Sequence, residues 1–420
     1  MIPAVIERCA GIDVGKKMLA VCVMVGAAED EPAVAQQEFG TTNSELERLR
    51  AWLCGFGCTH VVMESTGAYW KPVYEVLEAS LTVVLANPGQ VKARRGHKTD
   101  WNDARWLAHL LRHAMVRPSF IPPRGIRYLR DLTRRRRQII GAASSERNRV
   151  QKALETCNVK LGNVLSDVFG VSGQRILEAL LEGTATPQQM ATLLDPRAKA
   201  KVPEVIDALA GHRMDPHHRW LIQQSLEHLA FLEQQLVALD ERIHQHIQQS
   251  GYLQTYTLLQ TVPGIQAETA AAILAEIGPD MTQFPSAAHL SSYAGVCPGN
   301  YKSAGKSYSS HRQGGDRWLR VALVQSAWAV AARKQGALRD KFWSLAGRGG
   351  RKKALVALAH NLLIAIYHTL ASGQPYSEQD APLMSSSQRQ RLIRHHIRRL
   401  GKLGIAVRSR ACTNRYPGTQ

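Results

Sequence analysis

Short apolar runs bounded by turn residues dominate the first 123 residues. Five of these runs have the length and composition of β-strands, at about 9–14, 18–25, 34–39, 59–63 and 81–86. Leucines at helical spacing predict a helix over 42–52, and a second helix is predicted over 99–113. Strands that come first in hairpin order and then alternate with helices predict an α/β domain with a mixed sheet.

Helical periodicity dominates the remainder of the chain. From Ile222 to Ile243 the apolar positions recur in steps of three and four, which is typical of a long amphipathic helix with coiled-coil character. This helix either pairs with a second copy or folds back on residues 124–160, and the pattern fits both equally. Residues 161–215 predict an irregular helical insertion.

Four parts follow from these patterns. We expect an α/β domain over 1–123 and a basic helical linker with a coiled coil over 124–250. Residues 251–380 form a helical domain, in which Val262-Pro263-Gly264-Ile265 resembles either a helix-hairpin-helix that binds phosphate or an ordinary turn. Residues 381–420 carry nine Lys or Arg without Asp or Glu, which predicts a basic, disordered tail.

The charge balance indicates a polyanionic partner. There are 53 Lys and Arg residues against 34 Asp and Glu, a net charge of +19, and cationic side chains bind nucleic acid by releasing its counterions. A basic protein of the membrane surface is the alternative, but it needs an amphipathic anchor that is not visible outside the tail. Residues 124–160 hold eleven Lys or Arg. The candidates for nucleic-acid binding are Arg134, Arg135, Arg136, Arg137, Arg147, Arg149 and Lys306.

Cysteine usage and hydropathy indicate a cytoplasmic protein without a membrane part. The seven cysteines form no C-x-x-C pair, which argues against zinc and fits reduced thiols. The start of the chain lacks a signal-peptide pattern. The apolar stretch 354–371 is interrupted by His360, Asn361 and His368, so it predicts a buried helix rather than a membrane span.

Four carboxylates stand where chemistry is expected. Asp13 and Glu64 end predicted strands, whereas Asp100 and Asp103 lie three apart on one face of a predicted helix. Such an oxygen cage suits Mg²⁺, with Mn²⁺ as an alternative. Two ions about 4 Å apart can stabilise both the attacking and the leaving oxygen of a phosphoryl transfer.

Each carboxylate also has a simpler interpretation. Asp100 or Asp103 can cap the helix N-terminus, and Asp13 can belong to a phosphate loop of the actin and sugar-kinase type. The latter fold needs a second glycine-rich phosphate hairpin, and the sequence shows no convincing one.

The motifs around these carboxylates resemble those of a known family. G-I-D-V-G-K (11–16), M-E-S-T-G-A-Y (63–69) and K-T-D-W-N-D-A (98–104) are similar, in this order, to the RuvC-like, ribonuclease-H-fold domain of DEDD transposases. These are recombinases of the insertion sequence 110 type, related to pilin-gene invertases. V-P-G-I (262–265), Y-A-G-V (293–296), P-G-N-Y-K-S-A-G-K (298–306) and G-D-R-W-L-R (315–320) resemble the family's C-terminal domain.

The resemblance implies roles and partners. It makes Asp13, Glu64, Asp100 and Asp103 the catalytic, metal-binding acids and Ser303 the nucleophile. It further implies donor and target DNA as substrates, a structured RNA as guide, and a dimer or tetramer in which different subunits contribute the serine and the carboxylates.

The sequence departs from the family pattern in four places. Residues 161–215 are additional, the tail is longer, Asp316 stands where asparagine is expected, and Ser307, Ser309 and Ser310 are alternative nucleophiles. Two rival functions follow. A junction-resolving nuclease uses the same carboxylates with water as nucleophile and does not need Ser303, and a basic nucleic-acid-binding protein with an inactive site needs neither.

Overall fold

The computed structural model describes residues 4–65, 67–87, 99–297, 301–303, 306–309 and 314–377, together with Arg394 and Ile397. The chain divides into two compact units, Met1–Ile121 and Pro122–Gln420. Apart from Arg394 and Ile397, the basic tail expected over 381–420 lies outside the described residues.

The first unit is built on a mixed five-stranded sheet. Its strands are β1 (Arg8–Val14), β2 (Met18–Val25), β3 (Ala33–Gly40), β4 (His60–Glu64) and β5 (Thr82–Ala86), and its helices are α1 (Asn43–Gly55), α2 (Trp70–Leu77) and α3 (Asp100–Arg112). The predicted strands and both predicted helices are present, with ends that differ by at most three residues. The sequence pattern did not predict α2, which is only eight residues long.

The strand order is β3-β2-β1-β4-β5. β1 pairs antiparallel with β2 and parallel with β4, β2 pairs antiparallel with β3, and β4 pairs parallel with β5. An antiparallel meander followed by two parallel crossover strands is the arrangement expected of a ribonuclease H fold. The α/β prediction for this part of the chain is confirmed.

Alternation along the central strand creates two separate cores. Ile12 and Val14 face a cluster completed by Leu46, Leu49 and Leu77 of α1 and α2. Residues on the other side of the sheet pack against α3 instead, in a cluster that contains Cys9, Cys22, Val62, Ala104, Leu107 and Ala108. A sheet buried on both faces requires the continuous apolar runs that the sequence shows.

A buried arginine fixes the end of α3. Arg112 is only 2% exposed, and its guanidinium donates to the backbone oxygens of Glu7 (3.1 Å), Gly26 (3.2 Å) and Ala27 (2.7 Å). The carbonyl of Arg112 in turn accepts from the backbone N–H groups of Val5 and Ile6. One side chain therefore joins α3, the start of β1 and the loop after β2.

Two long helices run through the first half of the second unit. α4 (Arg124–Thr156) and α9 (Pro216–Gln249) pack along each other, with Ile139 and Leu232 in a shared core. Ion pairs between Arg136 and Asp240 and between Arg147 and Glu233 bridge the pair. Of the two sequence-based alternatives for the amphipathic helix, packing within the chain is therefore present.

The segment predicted to be irregular is a compact helical lobe. It contains α5 (Leu161–Val164), α6 (Val171–Glu182), α7 (Pro187–Ala191), a 3₁₀ helix (Pro196–Lys201) and α8 (Val202–Leu209). Its core joins side chains from these helices to Val150 and Leu154 of α4 and Ile222 of α9. Short elements give too few turns for a periodic pattern, which is why the sequence did not reveal this order.

Where the structure describes it, the second half of the unit is helical apart from one hairpin. Its elements are α10 (Leu253–Gln260), α11 (Ala267–Ile277), a 3₁₀ turn (Met281–Gln283), α12 (Ala287–Tyr293), β6 (Tyr301–Ser303), β7 (Lys306–Ser309), α13 (Arg317–Ala331), α14 (Ala337–Gly349) and α15 (Arg351–Ser372). A Cβ on Gly264, between α10 and α11, would lie 2.6 Å from the carbonyl oxygen of Ser326. This turn packs on α13, which favours the interpretation of an ordinary structural turn.

The helix α15 has the composition of a membrane span. Among the described residues it is the one helix long and apolar enough to cross a membrane. Leu358, Leu362 and Ile366 are fully buried, and the helix packs against α12, α13 and α14. This packing agrees with the sequence-based prediction of a helix in the core.

Substitution of Arg112 tests how the first unit is held together. We expect Arg112→Met to destabilise the sheet by about 3 kcal/mol, because the buried carbonyls lose a charged donor. The measurement is amide hydrogen exchange of β1 and β2 in the full chain, which reports the free energy of opening. Arg105→Met is the matched control, because Arg105 lies on the same helix but is exposed. Equal protection in the two variants would refute this role of Arg112.

Candidate active site

The two strand-borne carboxylates lie at the same edge of the sheet. Asp13 is the last residue but one of β1, and Glu64 is the last residue of β4. In the parallel register Ile12 lies opposite Met63. Asp13 and Glu64 are the residues that directly follow this pair on the two strands. Carboxyl ends of parallel strands form one edge, and this edge is where α/β sheets commonly bind ligands.

Both residues also belong to the same face of the sheet. Side chains alternate along a strand, so Asp13 shares a face with Cys9 and Glu64 shares one with Val62. Cys9 and Val62 are both buried in the cluster formed with α3. Asp13 and Glu64 therefore lie on the side of the sheet that α3 covers.

The helix α3 crosses this face in the opposite direction to β1. The thiol of Cys9 is 3.6 Å from the carbonyl oxygen of Ala108. Two residues further along β1, a Cβ on Gly11 would lie 2.2 Å from the carbonyl oxygen of Ala104. Residues of β1 that are nearer to Asp13 therefore lie beside residues of α3 that are nearer to its N-terminus. This N-terminus carries Asp100 and Asp103. All four carboxylate positions thus lie at one edge.

The capping interpretation of the helix-borne acids is wrong. Thr99 is the N-cap of α3, and its hydroxyl accepts from the backbone N–H of Asn102 at 3.2 Å. Asp100 and Asp103 occupy the first turn, where the helix dipole stabilises negative charge. Asp100 is exposed and Asp103 is half-buried, so neither carboxylate is consumed by the cap.

The donor set has the chemistry of a divalent-metal site, although its side chains are not drawn together. Carboxylate oxygens are the ligands that Mg²⁺ and Mn²⁺ prefer. Among the residues described, no three His, Cys, Asp or Glu side chains lie close enough to hold a metal ion. Carboxylates repel one another unless a cation neutralises them. The donor types and their common edge of the sheet therefore suit a divalent metal, whereas the described side chains do not form a ligand cluster.

The cysteines on this face of the sheet are core residues. Burial raises the pKa of the Cys9 thiol to about 12 and raises that of Cys22. A thiol with a raised pKa is a poor nucleophile at neutral pH. These thiols pack between α3 and the sheet. The candidate reactive groups at the edge are therefore the carboxylates.

Ser303 lies in the second unit, on a hairpin between α12 and α13. It ends β6 and is paired across the hairpin with Lys306, the first residue of β7. The alternatives Ser307 and Ser309 are on β7, whereas Ser310 falls outside the described residues. The backbone thus places Ser303 next to the hairpin turn.

Several arginines predicted to bind nucleic acid are engaged within the unit. Arg134 donates to both carboxylate oxygens of Glu276 at 2.8 Å, and Arg136 pairs with Asp240 and Glu268. Burial opposes the charge of Arg134, but hydrogen bonds to Glu276 and the charge of Asp316 outweigh it and raise its pKa. No sequence pattern predicts the pairing of Arg134 with Glu276, because the two residues are 142 positions apart.

Other candidates are less constrained. Arg147 pairs with Glu233, and both side chains are partly exposed, so this pair contributes little to stability. Arg149 is exposed, although its partner Glu146 is buried. Arg135 and Arg137 are exposed. The run 134–137, predicted to bind phosphate, thus alternates between the half-buried Arg134 and Arg136 and the exposed Arg135 and Arg137.

Comparisons with known proteins agree with the motif resemblance. A family model for DEDD transposases of IS110, described as "Transposase", matches residues 10–159. A second, described as "Transposase IS116/IS110/IS902 family", matches residues 256–343. The two matches together span more than half of the chain.

Individual relatives match a shorter region. The insertion element IS110 uncharacterized 43.6 kDa protein of Streptomyces coelicolor is 34% identical over 124 residues, which is 29% of this chain and 30% of that protein. The pilin gene-inverting protein of Moraxella bovis is 32% identical over 129 residues, which is 29% of this chain and 39% of that protein. The matches thus span less than half of each relative.

A structural likeness to Thermus thermophilus RuvC covers 27% of this chain and 99% of that one, at 16% identity and a TM-score of 0.21. At this score the likeness carries no weight, and the fold assignment stands on strand order and register. Two family models in chain order define the class: the chain belongs to the IS110 family of transposases.

Gly11→Ala tests whether the contact between β1 and α3 assembles the site. The added methyl group would meet backbone atoms of Ala104 and Ala108, so we expect α3 to shift and the sheet to lose about 1–3 kcal/mol of stability. Mn²⁺ binding, measured by electron paramagnetic resonance, should weaken in parallel. Gly55→Ala is the control, because nothing lies within 4 Å of its Cβ position. Unchanged Mn²⁺ binding in Gly11→Ala would contradict the assembly described above.

Proposed function

We propose that this protein is a DNA transposase or recombinase that cuts and rejoins strands by phosphoryl transfer. The observation that carries the proposal is the placement of Asp13, Glu64, Asp100 and Asp103 at one edge of the sheet, on the face covered by α3. Membership of the IS110 family supports the same chemistry.

In this proposal the four carboxylates hold Mg²⁺, or Mn²⁺ in its place. A divalent ion supplies Lewis acidity and charge neutralisation at a reacting phosphate. Asp13 and Glu64 stand on rigid neighbouring strands, so they define the site, and Asp100 and Asp103 complete it from the first turn of α3. Rigid elements hold ligands more accurately than loops do.

Ser303 is the proposed nucleophile. Its Oγ forms a bond to phosphorus while one P–O bond of the DNA backbone breaks, and the serine proton ends on the released strand hydroxyl. Attack by a DNA hydroxyl on the serine phosphodiester reverses the step and returns the proton to Oγ. The number of phosphodiester bonds is conserved, so rejoining needs no external energy source.

The partners follow from charge and family. Donor and target DNA are the proposed substrates, and a structured RNA is the proposed guide. The net charge of +19 and the exposed Arg135 and Arg137 support polyanion binding. A dimer or tetramer acting in the cytoplasm is also proposed, and the exposed Trp220 and Phe231 of α9 are available for contact with a second copy.

Removal of a single carboxylate tests the metal site. Asp13→Asn and Asp103→Asn should each abolish strand cleavage while nucleic-acid binding persists, because the lost charge weakens metal binding and not the basic surface. Cleavage assays with Mg²⁺, Mn²⁺ and EDTA, together with gel-shift binding, are the measurements. Glu29→Gln is the control, since Glu29 is exposed in the loop after β2, at the end of the sheet opposite to Asp13. Cleavage that persists in the presence of EDTA would refute the proposed metal site.

Trapping of the intermediate tests the serine. On nicked DNA the wild-type protein should form an adduct that resists denaturation and maps to Ser303 by mass spectrometry, and Ser303→Ala should form none. Ser309→Ala, on the same hairpin, is the control and should behave like the wild type. Normal cleavage by Ser303→Ala without an adduct would instead identify a nuclease that uses water, and an adduct on Ser307, Ser309 or Ser310 would reassign the nucleophile.

A further inference from the structure

The segment that carries Ser303 begins and ends at one point of the second unit. The backbone N–H of Asp316 donates to the carbonyl oxygen of Tyr293 at 2.8 Å. Next to this bond, a Cβ on Gly315 would lie 2.4 Å from the backbone nitrogen of Gly295, which itself has a φ of +66°. The two backbones touch, and side chains are excluded at both positions. Residues 296–314 are therefore closed into a loop at their base.

A buried ion cluster lies under this closure. Glu276, near the end of α11, has a side chain that is only 2% exposed. Arg134 donates to both of its oxygens at 2.8 Å, and Arg130 lies 3.1 Å from one of them. Arg130 also donates to the carbonyl oxygens of Ala275 and Glu276. The buried carboxylate is thus held by two guanidinium groups, both from α4.

The cluster contacts both ends of the loop. Arg134 reaches the carboxylate of Asp316 at 3.5 Å, and Asp316 caps α13 by accepting from the backbone N–H of Leu319. On the other side, the Tyr293 hydroxyl donates to the carbonyl oxygen of Glu276 at 3.4 Å. Burial raises the pKa of Tyr293 to about 12, so this donor remains protonated at neutral pH.

We propose that Arg134, Glu276 and Asp316 form a hairpin clamp, in which Arg134 is a positioning residue that fixes the serine-bearing hairpin against α4 and α11. The proposal rests on the proposed nucleophilic role of Ser303. The position of a nucleophile on a hairpin depends on how firmly the base of that hairpin is held. A misplacement of about 1 Å can slow a reaction on the order of 100-fold. Y-A-G-V contributes Tyr293 to this arrangement and G-D-R-W-L-R contributes Asp316, so both motifs help to position the hairpin.

The clamp also separates Arg134 from its neighbours in the run 134–137. If Arg134 left the cluster to bind a phosphate, Glu276 would keep Arg130 alone as a charged partner while still buried. Asp316, where the family resemblance implies asparagine, adds a second negative charge facing Arg134. Both observations place the function of Arg134 inside the unit.

The experiment combines Arg134→Lys, Glu276→Gln and the double variant in the full-length protein. Lysine keeps a positive charge beside Glu276 but lacks the planar fork that bonds both carboxylate oxygens. At saturating nicked DNA, each single variant should slow Ser303 adduct formation on the order of 100-fold, and the double variant should be no slower than either single one. The dissociation constant for DNA and its salt dependence should remain those of the wild type.

Two controls define the alternatives. Arg348→Lys makes the same substitution at an exposed arginine of α14 and should leave the adduct rate unchanged. Arg135→Gln should flatten the salt dependence of binding by about 0.9 slope units, as expected for one lost phosphate contact. If Arg134→Lys weakens DNA binding and leaves the saturated rate intact, Arg134 holds a phosphate and the clamp is wrong. Multiplicative effects of the two single variants would overturn it as well.

Amide hydrogen exchange over residues 296–314 separates the clamp from the chemistry. Arg134→Lys should accelerate exchange in this segment and leave exchange in the middle of α9 unchanged. If the wild-type protein forms no adduct on Ser303, the proposed nucleophile is wrong, and the exchange measurement alone decides the clamp. Unchanged exchange over 296–314 in both Arg134→Lys and Glu276→Gln would refute it.

Discussion

The backbones of β1 and α3 are in direct contact at Gly11, and the meeting of strand-borne and helix-borne carboxylates at one edge depends on that contact. The site needs two strand ends and the first turn of a helix at one edge, so the helix must lie close to the sheet. Any side chain at position 11 would occupy the space of the Ala104 carbonyl. Arg112 secures the far end of the same helix through backbone carbonyls. The helix is thus fixed at two points, and Asp100 and Asp103 are placed by both.

Ion pairs within the second unit limit how many of its arginines are available to a partner. The density of arginine on α4 indicates a polyanion, yet two of the four consecutive arginines are neutralised within the unit by Glu276, Asp240 and Glu268. Successive positions on a helix differ by about 100°, so a run of four points in every direction. Only the outward positions are available to a partner, and the inward ones organise neighbouring helices.

The sequence was sufficient for the features that depend on local pattern. Alternating and continuous apolar runs located the five strands, since β-branched residues in short bounded runs have few alternatives. The strand-end positions of Asp13 and Glu64 followed from the same pattern. The site as a whole also needed the family resemblance, because no local signal connects Ser303 to the carboxylates.

Features that depend on partners distant in sequence were not predictable. The apolar stripe of α9 suits a second copy or α4 equally, and the choice is visible only in pairs such as Arg136 with Asp240. Thr99, and neither aspartate, proved to be the cap of α3, because threonine and aspartate are both good caps. Glu276 looked like any glutamate at the end of a helix. Its burial arises from α4, which precedes it by more than a hundred residues.

The contact between Gly295 and Gly315 has a consequence for how such a protein can change over generations. The chain leaves the helical body at Gly295 and returns to it at Gly315, and these two positions form a narrow neck. Closing a longer loop costs only slightly more entropy than closing a shorter one, so insertions and deletions beyond the neck leave the helices undisturbed. Diversity of sequence and length can accumulate there, whereas the two glycines that form the neck leave no room for another side chain.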